Sequence, residues 1–179
     1  MLRILILGAS GSGKSTLARL LGERLGLPVV HLDRAYWLPG WVAPTREVWR
    51  ARVADLVAAD AWVMDGQYSS SLDLRLARAD VVIWLDLPRR IYFPRTVWRL
   101  IRYHGRERGD AGDGCRERFD LGFFRDWVWS YPARSRPHDA QLMASLPGHV
   151  RGIVLRTPGD VRQFAAGLPA SLGPNSSTT

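Results

Sequence analysis

The sequence predicts an α/β protein with a five-stranded parallel sheet between layers of helix, and three observations carry that expectation. Five short apolar runs, at residues 4–7, 29–32, 62–64, 81–85 and 153–155, each end at a polar or turn residue. Continuous apolarity over such lengths marks strands buried on both faces, as parallel sheets require. Helical patterns separate the runs, and this alternation implies right-handed crossovers. The length of 179 residues suits one domain able to bury its own core.

Taken in order, residues 4–7 lead through a glycine-rich turn into an amphipathic helix over 14–25. The run at 29–32 is followed by RAYWLPGWVAPT, residues 34–45, where aromatics, Pro and Gly interrupt the rhythm before a helix over 46–59. The run at 62–64 precedes a helix at 70–78, and 81–85 precedes a longer one at 90–104. Residues 105–118, GRERGDAGDGCRER, hold four glycines and mixed charge with no apolar anchor. Loops of that length act as functional covers or are disordered. Helices are expected again at 119–131 and 138–146. The last run is less apolar on approach, with His149 and Arg151 before it, and leads to a helix at 160–167. From Pro169 the composition of PASLGPNSSTT predicts disorder. One domain over 1–168 with a tail at 169–179 follows.

The single cysteine, Cys115, forms no internal disulfide, so nothing implies an oxidising compartment. The apolar opening at residues 2–7 is too short to span a membrane and leads into glycines rather than a cleavage site. The expected location is cytoplasmic. A net charge of +8 fits either a surface that tracks nucleic acid or arginines gathered around small phosphorylated ligands.

The chain has 25 basic residues, and Lys14 is the one lysine among them. It stands in GASGSGKS, which matches G-x-x-x-x-G-K-[ST] after a strand and at the opening of a helix. Glycines there let backbone N–H groups turn toward phosphate oxygens, and the helix dipole adds positive potential. Gly8, Ala9, Ser10, Gly11, Ser12, Gly13, Lys14, Ser15 and Thr16 are therefore the expected ATP contacts. A compact ammonium on a flexible stem suits the nest better than a rigid arginine fork. Lys14 is assigned to the β and γ phosphates and Ser15 to Mg²⁺.

In open parallel sheets ligands sit beyond the carboxyl ends of the strands, where Asp33, Asp65 and Asp86 fall. Asp65 precedes Gly66, which permits close approach of a ligand, and is expected to hold Mg²⁺ through water. Both residues also border the expected acceptor. Asp33 faces the aromatic loop and suits orienting an acceptor hydroxyl or taking its proton. Asp86 precedes Pro88 and reads as a helix cap. The plainer reading of all three is a solvated strand-end carboxylate or cap.

Arg95, Arg99, Arg102 and Arg106 share one helical face, with Val97, Trp98 and Ile101 expected to pack inward. Arg95 and Arg99 are the expected stabilisers of the transferring phosphoryl group, and Arg134 an expected acceptor contact. A solvated helix face is the competing reading. Trp37 and Trp41, beside Asp33, suit stacking against a planar acceptor, while the other tryptophans read mainly as core.

The stretches GASGSGKSTLAR, HLDRAYWLPGW, WVMDGQYS, LDLRLARADVVIWLDLPR and DWVWSYPARSRP resemble the adenylate kinase-like P-loop proteins of the DNA topology modulation type. The resemblance covers residues 1 to about 160. It implies a three-layer P-loop NTPase fold, ATP with Mg²⁺, and a helical lid within approximately residues 89–136. It also maps the strand-end aspartate–glycine of nucleoside monophosphate kinases onto Asp65–Gly66. The expected activity is phosphoryl transfer from ATP to a small-molecule or nucleotide acceptor. The alternative is a nucleic-acid-associated NTP-binding protein affecting DNA topology, with ATP as a switch.

Overall fold

The computed structural model describes residues 1–118 and 120–168. The stretch from Pro169, expected to be disordered, lies outside the described residues. Five parallel strands form the sheet in the order β2-β3-β1-β4-β5: β1 (Arg3–Gly8), β2 (Val29–His31), β3 (Trp62–Asp65), β4 (Val81–Leu85) and β5 (Arg151–Leu155). The expected fold class is therefore observed.

Each strand alternates between two cores, because successive side chains point to opposite faces. Leu5, Leu7, Trp62, Met64, Val82 and Trp84 enter one core. Helix α3 (Arg46–Val57) covers it with Trp49, Val53 and Val57, spaced one helical turn apart. Ile4, Ile6, Val63, Ile83, Leu85 and Leu155 enter the other core, covered by Leu17, Ala18 and Leu21 of α1 (Lys14–Leu25). Burial on both faces explains why the strands read as unbroken apolar runs.

The remaining helices are α2 (Leu32–Tyr36), α4 (Leu72–Leu76), α5 (Arg89–Tyr103), α6 (Leu121–Phe123), α7 (Tyr131–Arg134), α8 (Arg136–Ala144) and α9 (Pro158–Ala166). A wider, π-helical turn over Phe124–Trp129 joins α6 to the segment before α7. The sequence did not predict α2. Five residues beside a Trp- and Pro-rich loop hold too little periodicity to announce a helix. Asp33 consequently lies in the first turn of α2 rather than at a strand end.

Helix α5 is turned differently from expectation. Tyr92, Thr96 and Leu100 are its buried residues, whereas Trp98 is 59% exposed and Ile101 69% exposed. The helix also ends at Tyr103, so Arg106 belongs to the following loop. Of the tryptophans expected in the core, Trp49, Trp62 and Trp84 are buried, while Trp127 and Trp129 are exposed.

Gly11 explains the rotation of α5. It has φ +77°, and a Cβ there would overlap Thr96 Oγ1 and the Tyr92 carbonyl. Only a residue without a side chain lets α5 approach the turn so closely. Gly11→Ala combines left-handed strain with overpacking, a cost of about 2–4 kcal/mol. A thermal melt is expected to show Tm lowered by roughly 10 °C, and a shift under 2 °C contradicts this account.

Candidate active site

The strand register brings the carboxyl ends of the central strands together: His31 pairs with Asp65, Ile6 with Asp65, and Gly8 with Leu85. Gly8 (φ +141°), Gly11 and Gly13 (φ +99°) shape the turn into α1, and Gly13 caps that helix. Lys14 is the first residue of α1, and its Nζ donates to the Ala9 carbonyl at 2.9 Å. Burial lowers the pKa of Lys14, opposed by the charges of Asp33, Asp65 and Asp139.

Ser15 Oγ donates to Asp65 Oδ2 at 2.7 Å. The other oxygen, Oδ1, lies 2.5 Å from His31 Nδ1. That hydrogen bond raises the pKa of His31. The glycine-rich turn and Asp65 thus meet across two adjacent strands, although 50 residues separate Ser15 from Asp65. Among the described residues no group of three or more His, Cys, Asp or Glu is placed to hold a metal ion. Ser15 and Asp65 form a smaller, all-oxygen donor pair. Such a pair fits Mg²⁺, which takes few protein ligands and completes its shell with water and phosphate.

Asp33 is exposed, and its Oδ1 accepts from Tyr68 Oη at 2.8 Å. Burial and then the Asp33 charge raise the pKa of Tyr68. Tyr36 packs edge-on to Trp37 and Trp49, each at 4.9 Å between centroids, and tilts against Tyr68 at 4.6 Å. Trp37 meets Trp41 at 5.5 Å. An aromatic wall therefore stands beside Asp33, and Trp37 is half-buried in it.

The loop at 105–118 is anchored after all, chiefly by backbone and small side chains. Cys115 Sγ donates to the Leu38 carbonyl at 3.2 Å, Gly40 N to the Gly114 carbonyl at 3.2 Å, and Trp41 Nε1 to the Arg116 carbonyl at 2.7 Å. Ala111 and Cys115 are buried. Within the loop, Arg108 pairs with Glu117 at 2.6 Å and with Asp110 at 3.1 Å. Burial pushes the Asp110 carboxyl up, but Arg108 and a hydrogen bond to Ser15 outweigh it and hold the carboxyl low. The loop thus reaches from the aromatic wall to the Ser15–Asp65 pair.

The arginine stripe divides. Arg99 Nη2 donates to Ser10 Oγ at 3.0 Å, and its buried Nε has no partner among the described residues. Burial lowers its pKa, with Arg108 the next largest influence in the same direction. Arg95, Arg102 and Arg106 are exposed, and Arg102 lies over the Trp98 ring at 5.2 Å. Arg134 is exposed at the end of α7. Asp86 is not a helix cap: Pro88 caps α5 without a side-chain bond, and buried Asp86 accepts from Arg136 Nε and Nη2 at 2.7 and 3.0 Å. A partner 50 residues away outcompetes the local backbone.

Three residues went unnoticed in the sequence: His31, Gln67 and Asp139. Gly8 N donates to Gln67 Oε1 at 3.1 Å, and Gln67 Nε2 donates to Asp139 Oδ1 at 2.5 Å. Asp139 Oδ2 accepts from Tyr131 Oη at 2.7 Å, which itself accepts from Trp84 Nε1 at 3.1 Å. This chain ties the glycine-rich turn to α7 and α8. Asp139 is fully buried, and desolvation raises its pKa. A folded pKa above the unfolded value gives stability that is present at low pH and lost as pH rises through the folded pKa. Urea unfolding from pH 4 upward is expected to show that decline in the wild type and not in Asp139→Asn; parallel pH profiles contradict it.

The sheet order, the glycine turn and the Ser15–Asp65 contact define a P-loop nucleotide-binding fold. No protein-family model matches the chain. It is 33% identical over 106 residues to the uncharacterized protein YqaC of Bacillus subtilis (strain 168), spanning 57% of this chain and 58% of that protein's length. It is also 33% identical over 123 residues to the shikimate kinase of Symbiobacterium thermophilum, spanning 60% of this chain and 67% of the enzyme. Shikimate kinase from Acinetobacter baumannii, solved with shikimate, superposes with a TM-score of 0.58 at 17% identity, over 93% of this chain and 89% of that one. The chain belongs to the P-loop kinase family that includes shikimate kinase. No helix among the described residues is long and apolar enough to cross a membrane.

Proposed function

We propose that this protein transfers the γ-phosphoryl group of ATP to a hydroxyl on a small-molecule or nucleotide acceptor. The observation that carries the proposal is the 2.7 Å contact between Ser15 and Asp65 at the mouth of the glycine-rich turn. Kinship with shikimate kinase supports the general reaction. In this reading Gly8 to Thr16 cradle the triphosphate with backbone N–H groups. Ser15 and, through water, Asp65 hold Mg²⁺, which when bound offsets the charge of the phosphates.

Lys14 exchanges its bond to the Ala9 carbonyl for a phosphate oxygen. Arg99, already at Ser10, turns its unpartnered Nε–H toward the same charge. Residues 89–136 act as the lid, and Arg95 and Arg134, exposed on it, add positive charge when it closes. Asp33 orients the acceptor hydroxyl and takes its proton. Trp37 and the backbone at Gly66 bound the acceptor. Phosphoryl transfer asks little covalent chemistry of a protein, so positioning and electrostatic stabilisation account for the rate.

The test is mass spectrometry of reactions containing ATP, Mg²⁺ and a panel of hydroxyl acceptors. A phosphorylated acceptor together with ADP supports the proposal. Release of inorganic phosphate with no phosphorylated acceptor overturns it.

A further inference from the structure

We propose that His31 is a positioning residue for Mg²⁺. It holds the Asp65 carboxylate in the orientation that takes the Ser15 hydroxyl proton, and so leaves the lone pairs of the Ser15 oxygen for the metal. The inference rests on the phosphoryl-transfer reading and adds to it a residue that acts only through Asp65.

Strand pairing puts His31 in place. β2 and β3 run parallel with His31 opposite Asp65, and residues paired in this way point to the same face of a sheet. The alternation that sends Val29 and Val63 into the core under α1 sends His31 and Asp65 to that face as well. There Ser15 stands in the first turn of α1. The two oxygens of Asp65 have separate partners: Oδ2 accepts from Ser15 Oγ at 2.7 Å, and Oδ1 from His31 Nδ1 at 2.5 Å. An ionised carboxylate only accepts, so Nδ1 carries the proton of the second bond. The neutral Nδ1–H tautomer and the imidazolium both meet that requirement, and the role needs no change of charge.

The side chains of His31 and Asp65 are 14% and 5% exposed. At that depth a carboxylate oxygen left without a donor is costly, and water does not simply replace the imidazole. A carboxylate tied through one oxygen alone also turns easily, because its terminal torsion is broad. A second bond on the opposite oxygen fixes its plane. That plane matters to Ser15, whose hydroxyl donates one proton and keeps two lone pairs. With the proton committed to Oδ2, the lone pairs are what a cation meets. Once the carboxylate turns away, the hydroxyl proton is free to face the cation, which repels it.

The experiment is calorimetric titration of the β,γ-imido analogue of ATP into wild type, His31→Ala, His31→Asn and His31→Gln, in excess Mg²⁺ and in EDTA. The ratio of the two dissociation constants reads what the metal adds to binding. In His31→Ala that ratio is expected to shrink about tenfold or more, while affinity in EDTA stays within about threefold of wild type. Asparagine places its amide where the imidazole carries Nδ1, and is expected to restore the ratio. Glutamine carries the amide one bond farther out and is expected to behave as alanine does. If His31→Ala does not fold, the asparagine–glutamine pair makes the same comparison. An unchanged ratio in His31→Ala, an equal loss with and without Mg²⁺, or an asparagine variant no better than glutamine overturns the inference. A wild-type ratio near one sinks the Mg²⁺ assignment and the inference with it. Failure to find a phosphorylated acceptor sinks only the phosphoryl-transfer reading, and the binding ratios still decide the role of His31.

Discussion

Lys14→Arg is expected to lower kcat for phosphoryl transfer about a hundredfold to a thousandfold, the scale of removing one charge-stabilising donor, while Tm shifts by only a few degrees. The substitution keeps the charge, so the loss tests geometry. Lys14 Nζ sits within a turn whose backbone curls close enough for a 2.9 Å bond to the Ala9 carbonyl. A planar guanidinium is bulkier than an ammonium and cannot rotate its donors into that nest. Burial already disfavours the charged lysine, with Asp33 and Asp65 offsetting that cost. Losing the side chain's fit is thus not expected to unfold the domain. A coupled assay for ADP release gives kcat, and a thermal melt gives Tm. A variant within threefold of wild type removes Lys14 from the reaction.

The sequence made the sheet and the glycine-rich turn legible because both are written locally. Apolar runs long enough to cross a buried layer and a fixed spacing of glycines around Lys14 need no knowledge of distant partners. Asp65 was legible for a related reason, since it closes an apolar run and directly precedes Gly66, and the register then sets it opposite Ile6. Other residues acquired their roles through contacts that local pattern does not encode. Asp86 has the sequence context of a helix cap, yet Arg136 claims it. His31 looks like a strand residue until it is found against Asp65. Gln67 and Asp139 meet only because α8 returns beside β1 and β4. The face of α5 differs from expectation for a packing reason: Gly11 admits Tyr92 and Thr96, which turns Arg99 toward Ser10 of the glycine-rich turn and leaves Trp98 outside. The net charge, being scattered over paired and exposed arginines alike, did not discriminate between a nucleic-acid surface and a phosphate site.

Asp33→Asn is expected to reduce kcat by about a hundredfold or more, in the range that a positioned general base contributes, with a smaller change in the KM for ATP. Tyr68 Oη donates to Asp33 Oδ1 at 2.8 Å, and an asparagine carbonyl accepts the same bond, so the side chain keeps its place. What disappears is the negative charge and the capacity to take a proton. The contrast with Tyr68→Phe separates the two jobs of the residue. That variant leaves the carboxylate but frees its orientation, and is expected to raise acceptor KM with a milder loss of kcat. Steady-state kinetics with the acceptor varied at saturating ATP distinguishes the patterns. If Asp33→Asn changes only KM, Asp33 binds the acceptor without acting on its hydroxyl. If neither parameter moves by more than threefold, the carboxylate nearest the aromatic wall is a solvated surface group, and the acceptor lies elsewhere along the strand ends.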